Sequence, residues 1–73
     1  MHYTVFYQRV KTADGTFSPS VSTYTNMQDA YKQFYTILSS YIGNADYSHI
    51  EAYIANDNAV VLEAKAWDNE LPN

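Results

Sequence analysis

Residues Thr25 to Gly43, TNMQDAYKQFYTILSSYIG, carry a complete helix signature, and the rest of the chain has to be laid against it. Thr25 or Asn26 supplies an N-cap oxygen that accepts from a free backbone N–H of the first turn. Gln28 stands three residues after Thr25 and Asp29 three after Asn26, so either choice has capping-box spacing. Asp29 also places negative charge in the first turn, where the helix dipole favours it. Gly43 stands where a left-handed C′ residue ends a helix. At about 100° per residue, Met27, Ala30, Tyr31, Phe34, Ile37, Leu38, Tyr41 and Ile42 share one side, with Tyr35 on the boundary. A stripe this wide suits a helix lying on a sheet better than a coiled-coil seam. Tyr31, Phe34 and Tyr41 are accordingly assigned to core packing.

The flanking segments read as strands. His2 to Thr12 is β-branched and aromatic. Ala13-Asp14-Gly15 then turns the chain, since Asp-Gly supplies the positive φ of tight hairpins. Thr16 to Tyr24 returns, and Pro19, which cannot donate to a ladder, either confines it to a sheet edge or breaks it there. A three-residue loop would set Thr12 opposite Thr16 and Tyr7 opposite Val21. The core face would then hold Tyr3, Val5, Tyr7, Phe17 and Val21, and Phe6 and Val10 would lie on the far side.

After the helix, Tyr47 to Asn56 alternates in period two, with Ile50, Ala52 and Ile54 on one face. A loop of Asp57, Asn58 and Ala59, with Asn58 left-handed, would lead into the last strand and face Ile54 with Leu62, Ala52 with Ala64 and Ile50 with Ala66. On the other face it would set Glu51 opposite Lys65 and His49 opposite Trp67. A shift by two would oppose Glu51 and Glu63, which is unfavourable. The expected fold is a two-layer α+β domain of order ββαββ over residues 1–67, one helix on a mainly antiparallel four-stranded sheet. Dropping the second strand would leave βαββ. Residues 68–73 read as a short polar tail.

Seventy-three residues make one domain. A chain of this size buries only about 60% of its unfolded surface, so small domains commonly need a further staple. There is no cysteine to form a disulfide or a thiolate metal site. His2 and His49 lack ligand spacing, and no metal or cofactor is expected. Self-association and aromatic packing remain, with eight tyrosines, three phenylalanines and one tryptophan available. No apolar run is long enough to span a membrane, and MHYTVFYQRV lacks the basic segment of a secretory leader, so a cytoplasmic location is expected.

The net charge of −4 is uneven. Arg9, Lys11 and Lys32 against Asp14 and Asp29 leave residues 1–42 at +1. Lys65 against Asp46, Glu51, Asp57, Glu63, Asp68 and Glu70 leaves residues 43–73 at −5. That balance argues against direct nucleic-acid binding, which rests on Lys and Arg meeting phosphates. It suits either simple solubility or a partner with a basic surface.

The sheet face away from the helix is where chemistry is expected. Phe6, Val10, His49, Glu51, Tyr53, Val61, Lys65 and Trp67 would lie there, uncovered in a two-layer domain. Tyr and Trp are favoured in binding hot spots. Glu51 and Glu63 with Lys65 between them form an ion-pair lattice rather than a pocket that shifts a pKa. His49 has no Ser or Cys in register, so no catalytic residue is assigned and no enzyme is expected. The expectation is a small acidic interaction module, a homodimer or a partner-binder working through this face. In a phage or mobile element it would inhibit a host protein. The alternative is an oligomer that holds a small ligand among aromatics between copies.

Overall fold

The computed structural model describes residues 2–69. The elements run β1 (Tyr3–Lys11), β2 (Phe17–Tyr24), α1 (Met27–Tyr41), β3 (Tyr47–Ala55) and β4 (Val61–Asp68). The four strands form one antiparallel sheet in the order β2-β1-β3-β4. This is the ββαββ, α+β architecture expected. Pro19 lies in an edge strand, where its missing N–H costs no ladder bond. The helix packs on β3 and β1 and reaches β2, and β4 lies outside its cover.

The helix begins at Asn26 rather than Thr25. Asn26 Oδ1 accepts the Asp29 backbone N–H at 2.8 Å, and its Nδ2 donates to the Asp29 carboxylate at 2.9 Å. The pair satisfies one orphan donor of the first turn and orients the acidic side chain at once. Gly43 follows the last turn at φ +82°, as a left-handed C′ residue. Ala30, Phe34, Ile37 and Leu38 are buried against Val5, Ile50, Ala52 and Ile54. Tyr7, Tyr24, Tyr31, Tyr41 and Ile42 flank that cluster. Burying each large apolar side chain contributes about 1.5–3 kcal/mol. Met27, placed on the apolar stripe by periodicity, is exposed in the first turn.

Both hairpins depart by one residue from the expected register, for different reasons. In the first, Lys11 donates to Thr16 O and Gly15 donates back to Lys11 O, both at 2.9 Å. The loop is therefore Thr12 to Gly15, four residues instead of three, with Gly15 at φ +71° and Asp14 Oδ1 accepting the Thr16 N–H. Phe6 faces Val21, Val10 faces Phe17, and Tyr7 faces Ser20. Phe17 and Val21 thus leave the helix side, and serines take their place.

The second hairpin closes on the expected loop. Asn56 donates to Val60 O at 3.1 Å, and Ala59, not Asn58, takes the left-handed position at φ +61°. Asn56 Oδ1 accepts from the Asn58 and Val60 N–H groups and shapes the turn. A bulge then intervenes: Ala55 pairs with Val61 but Ile54 pairs with Glu63. One extra residue on β4 turns the rest of the strand over. Ala52 faces Lys65, Ile50 faces Trp67, and Ala64 and Ala66 come to the opposite side. The alanines expected beneath the helix are Ala52 alone.

Asp68 and Asn69, the first two positions of the expected tail, are built into the fold. Asp68 completes β4, and Asn69 is buried. Asn69 Nδ2 donates to the carbonyls of Tyr41, Asn44 and Tyr47, and its Oδ1 accepts the Gly43 N–H. The remaining tail positions, 70–73, lie outside the described residues.

Candidate functional site

The face opposite the helix is defined by pairing. Val5, Ile50, Ala52 and Ile54 point into the core. Their neighbours along β1 and β3 point the other way by strand alternation. Phe6, Gln8 and Val10 of β1 therefore stand beside Tyr53, Glu51 and His49 of β3. Phe17 and Val21 of β2 extend the row on one side, Ala64 and Ala66 of β4 on the other. Phe6 and Tyr53 stack with ring centroids 5.1 Å apart, the aromatic cross-strand pair that fixes a sheet register. Phe17 is 54% exposed and Val21 61% exposed. A shallow depression of about 230 Å³ lies beside the stacked rings, lined by Phe6, Glu51, Ala52, Tyr53, Ala64, Lys65 and Ala66.

A polar ladder crosses this face. Gln8 Nε2 donates to Glu51 Oε2 at 2.7 Å. The other oxygen of Glu51 meets His49 Nε2 at 2.7 Å, and Asp68 Oδ1 meets His49 Nδ1. The Glu51 hydrogen bond, then that of Asp68, raises the His49 imidazole above its ordinary value. Asp68 is largely exposed, so water screens its share. When protonated, His49 donates from both ring nitrogens, Nε2 to Glu51 and Nδ1 to Asp68. The ladder holds charge in place on an otherwise apolar face, and it leaves that face acidic.

Of the residues expected on this face, Phe6, Val10, His49, Glu51 and Tyr53 are there. Val61 joins them through its pairing with Ala55, which alternates with Tyr53. Lys65 and Trp67 are not: the β4 bulge turns them to the helix side, across from Ala52 and Ile50. There Lys65 Nζ lies 5.6 Å from the Trp67 ring centroid, and Glu63 accepts from the Tyr35 hydroxyl at 3.1 Å. That bond raises the Tyr35 phenol above its ordinary value. The expected pairs Glu51–Lys65 and His49–Trp67 do not form, and His49 meets Asp68 instead.

Sequence reasoning missed Phe17 and Val21 on this face. The signal was Asp14, whose side chain two residues before Thr16 favours an Asx turn and a longer loop. On the helix side, Arg9 is held between the rings of Tyr7 and Tyr41, 5.3 Å from each centroid, with Tyr47 edge-on to Tyr41. This cation–π sandwich belongs to the core margin. Among the described residues no group of three or more His, Asp or Glu is placed to hold a metal ion, and no helix is long and apolar enough to cross a membrane. No protein-family model, curated protein or solved structure matches the chain.

Proposed function

We propose that this chain is a non-enzymatic interaction module that takes a protein partner on the outer face of its sheet. The supporting observation is the uncovered apolar row running across three strands, Phe17 and Val21 on β2, Phe6 and Val10 on β1, Tyr53 on β3. Phe17 and Val21 are exposed and Phe6, Val10 and Tyr53 half-buried, and a contiguous apolar surface marks an interaction site more often than scattered single residues do. Tyr53 and Phe6 supply rigid aromatic anchors, the residue kind that dominates binding energy. Glu51 and Asp68 rim the row with fixed negative charge, which selects a partner whose apolar patch carries basic groups beside it.

Affinity capture from a lysate of the encoding organism tests this reading. Wild type is compared with Val21→Asp and Tyr53→Ala on the outer face and Tyr35→Ala on the helix side. A protein retained by wild type and Tyr35→Ala, and lost from both outer-face variants, supports the reading. A retained set identical across all four removes it.

A further inference from the structure

Among the described residues the sheet has two open edges, β2 and β4, and they are not equivalent. On β2, Thr16 O accepts the Lys11 N–H, so residue 16 turns its backbone groups toward β1. Alternation sends those of Phe17, Pro19 and Val21 to the free edge. Pro19 has no N–H to offer, so that edge is blocked at its middle in the way natural sheets avoid adding strands. On β4, the Asn69 N–H donates to Ser48 O at 2.9 Å, so residue 69 faces β3. The backbone groups of Asp68, Ala66 and Ala64 then point outward. No proline interrupts them. Every described side chain of β4 is exposed except that of Glu63, which is half-buried.

We propose that a second copy of this chain pairs antiparallel with the β4 edge about a two-fold axis at Ala64, joining two four-stranded sheets into one of eight. A two-fold perpendicular to the sheet keeps each face on its own side, so paired residues must have the same parity and the axis must pass through a residue. Centring on Ala64 satisfies both charge and hydrogen bonding and pairs Val61 through Trp67, whereas centring on Ala66 would leave the first half of β4 unpaired. Centring on Glu63 opposes two glutamates, and centring on Lys65 opposes two lysines. Centring on Ala64 sets Glu63 opposite Lys65 of the second copy, twice, in the closely spaced positions of the ladder. It also makes Ala64 a mutual pair, each N–H donating to the other's carbonyl, with the outward direction the Asn69 bond requires. Lys65 alone would guard this edge against addition. With Glu63 two residues away on the same face, the two-fold turns that guard into an attraction. The association uses the strand edge and is independent of the outer-face reading. It would lay two outer faces side by side.

Sedimentation equilibrium or light scattering after gel filtration tests it, with circular dichroism reporting the fold of each variant. Wild type is expected at twice the 8.4 kDa of one chain. Ala64→Pro removes the central donor without touching the bonds to β3, and it is expected as a monomer. Lys65→Glu opposes Glu63 with a second carboxylate and is expected as a monomer too. The double variant Glu63→Lys with Lys65→Glu restores opposite charges and is expected to restore the dimer. A wild type that stays at one chain's mass at its highest soluble concentration overturns the proposal. So does a dimer unchanged in Ala64→Pro and Lys65→Glu, which would place the contact elsewhere.

Discussion

Asn69 closes the end of the helix onto the sheet: its side-chain oxygen accepts the Gly43 N–H at 2.8 Å, one residue beyond the C-cap. The same amide donates to the last-turn carbonyl of Tyr41 and to Tyr47 O at the start of β3. A helix C-terminus leaves its final carbonyls without intrahelical partners, and at Tyr41 the buried amide joins the Asn44 N–H in meeting one of them. Asn69→Ala is expected to lower unfolding free energy by about 1–3 kcal/mol, the cost of leaving buried groups unpaired. Asn69→Asp is expected to lower it further at neutral pH, since a carboxylate cannot donate to three carbonyls. Urea unfolding compares the three proteins, and equal midpoints would contradict the role.

His49 makes stability depend on pH in a definite direction. Its folded value lies above the ordinary imidazole value because Glu51 and Asp68 hold the charged form. On the outer face it meets Glu51 of its own strand, Val10 of β1 and Asp68 of β4. A raised folded value means the folded state binds the proton more tightly than the unfolded state. The contribution is therefore complete below about pH 6.5, the unfolded imidazole value, and is lost as pH rises through the raised folded value. His49→Gln is expected to flatten stability across that window. NMR titration is expected to place His49 above the ordinary imidazole value of about 6.5, and a midpoint at that value would contradict the ladder.

Glu63 and Tyr35 report which way β4 faces. The phenol is raised chiefly by its hydrogen bond to Glu63. Glu63→Gln is expected to bring Tyr35 back toward the ordinary tyrosine value of about 10. In the unbulged register Glu63 would lie on the outer face, and the substitution would leave the Tyr35 titration unchanged.

The two faces differ in what they contribute to folding. Ile54 is fully buried, and Ile54→Ala is expected to cost about 2–5 kcal/mol. Val21 stands in water, and Val21→Ser is expected to change stability by no more than about 0.5 kcal/mol. Thermal unfolding of the pair checks this, and a comparable loss in both would mean that Val21 is covered in the isolated chain.

The helix was legible because its signals are local. Asn26, Asp29 and Gly43 act on their own turn, and Phe34, Ile37 and Leu38 recur at helical spacing. The element order followed from the strand propensities and the two loops. The faces of β2 and β4 were not legible, because side-chain direction in a strand reverses with every inserted residue. One additional loop residue at Thr12 moved Phe17 and Val21 outward, and one bulged residue beyond Val61 moved Trp67 and Lys65 inward. Neither strand resists either choice by composition. Serines alternate with apolar residues in β2, and alanines alternate with charges in β4, so each face is tolerable on each side. Asn69 was hidden for a different reason: an asparagine near a polar end looks solvated until the fold brings four backbone groups to it. Phe6, Val10, Glu51 and Tyr53 were placed correctly because β1 and β3 are central, and the buried Val5 and Ile50 leave them only one side.

Photo-crosslinking in the encoding cell tests the central claim most directly, with a photoreactive residue placed at Tyr53 on the outer face or at Tyr35 on the helix side. A protein other than the chain itself is expected to be captured from Tyr53 and not from Tyr35. Capture from Tyr35 alone, or from neither, would contradict the outer face as the binding surface.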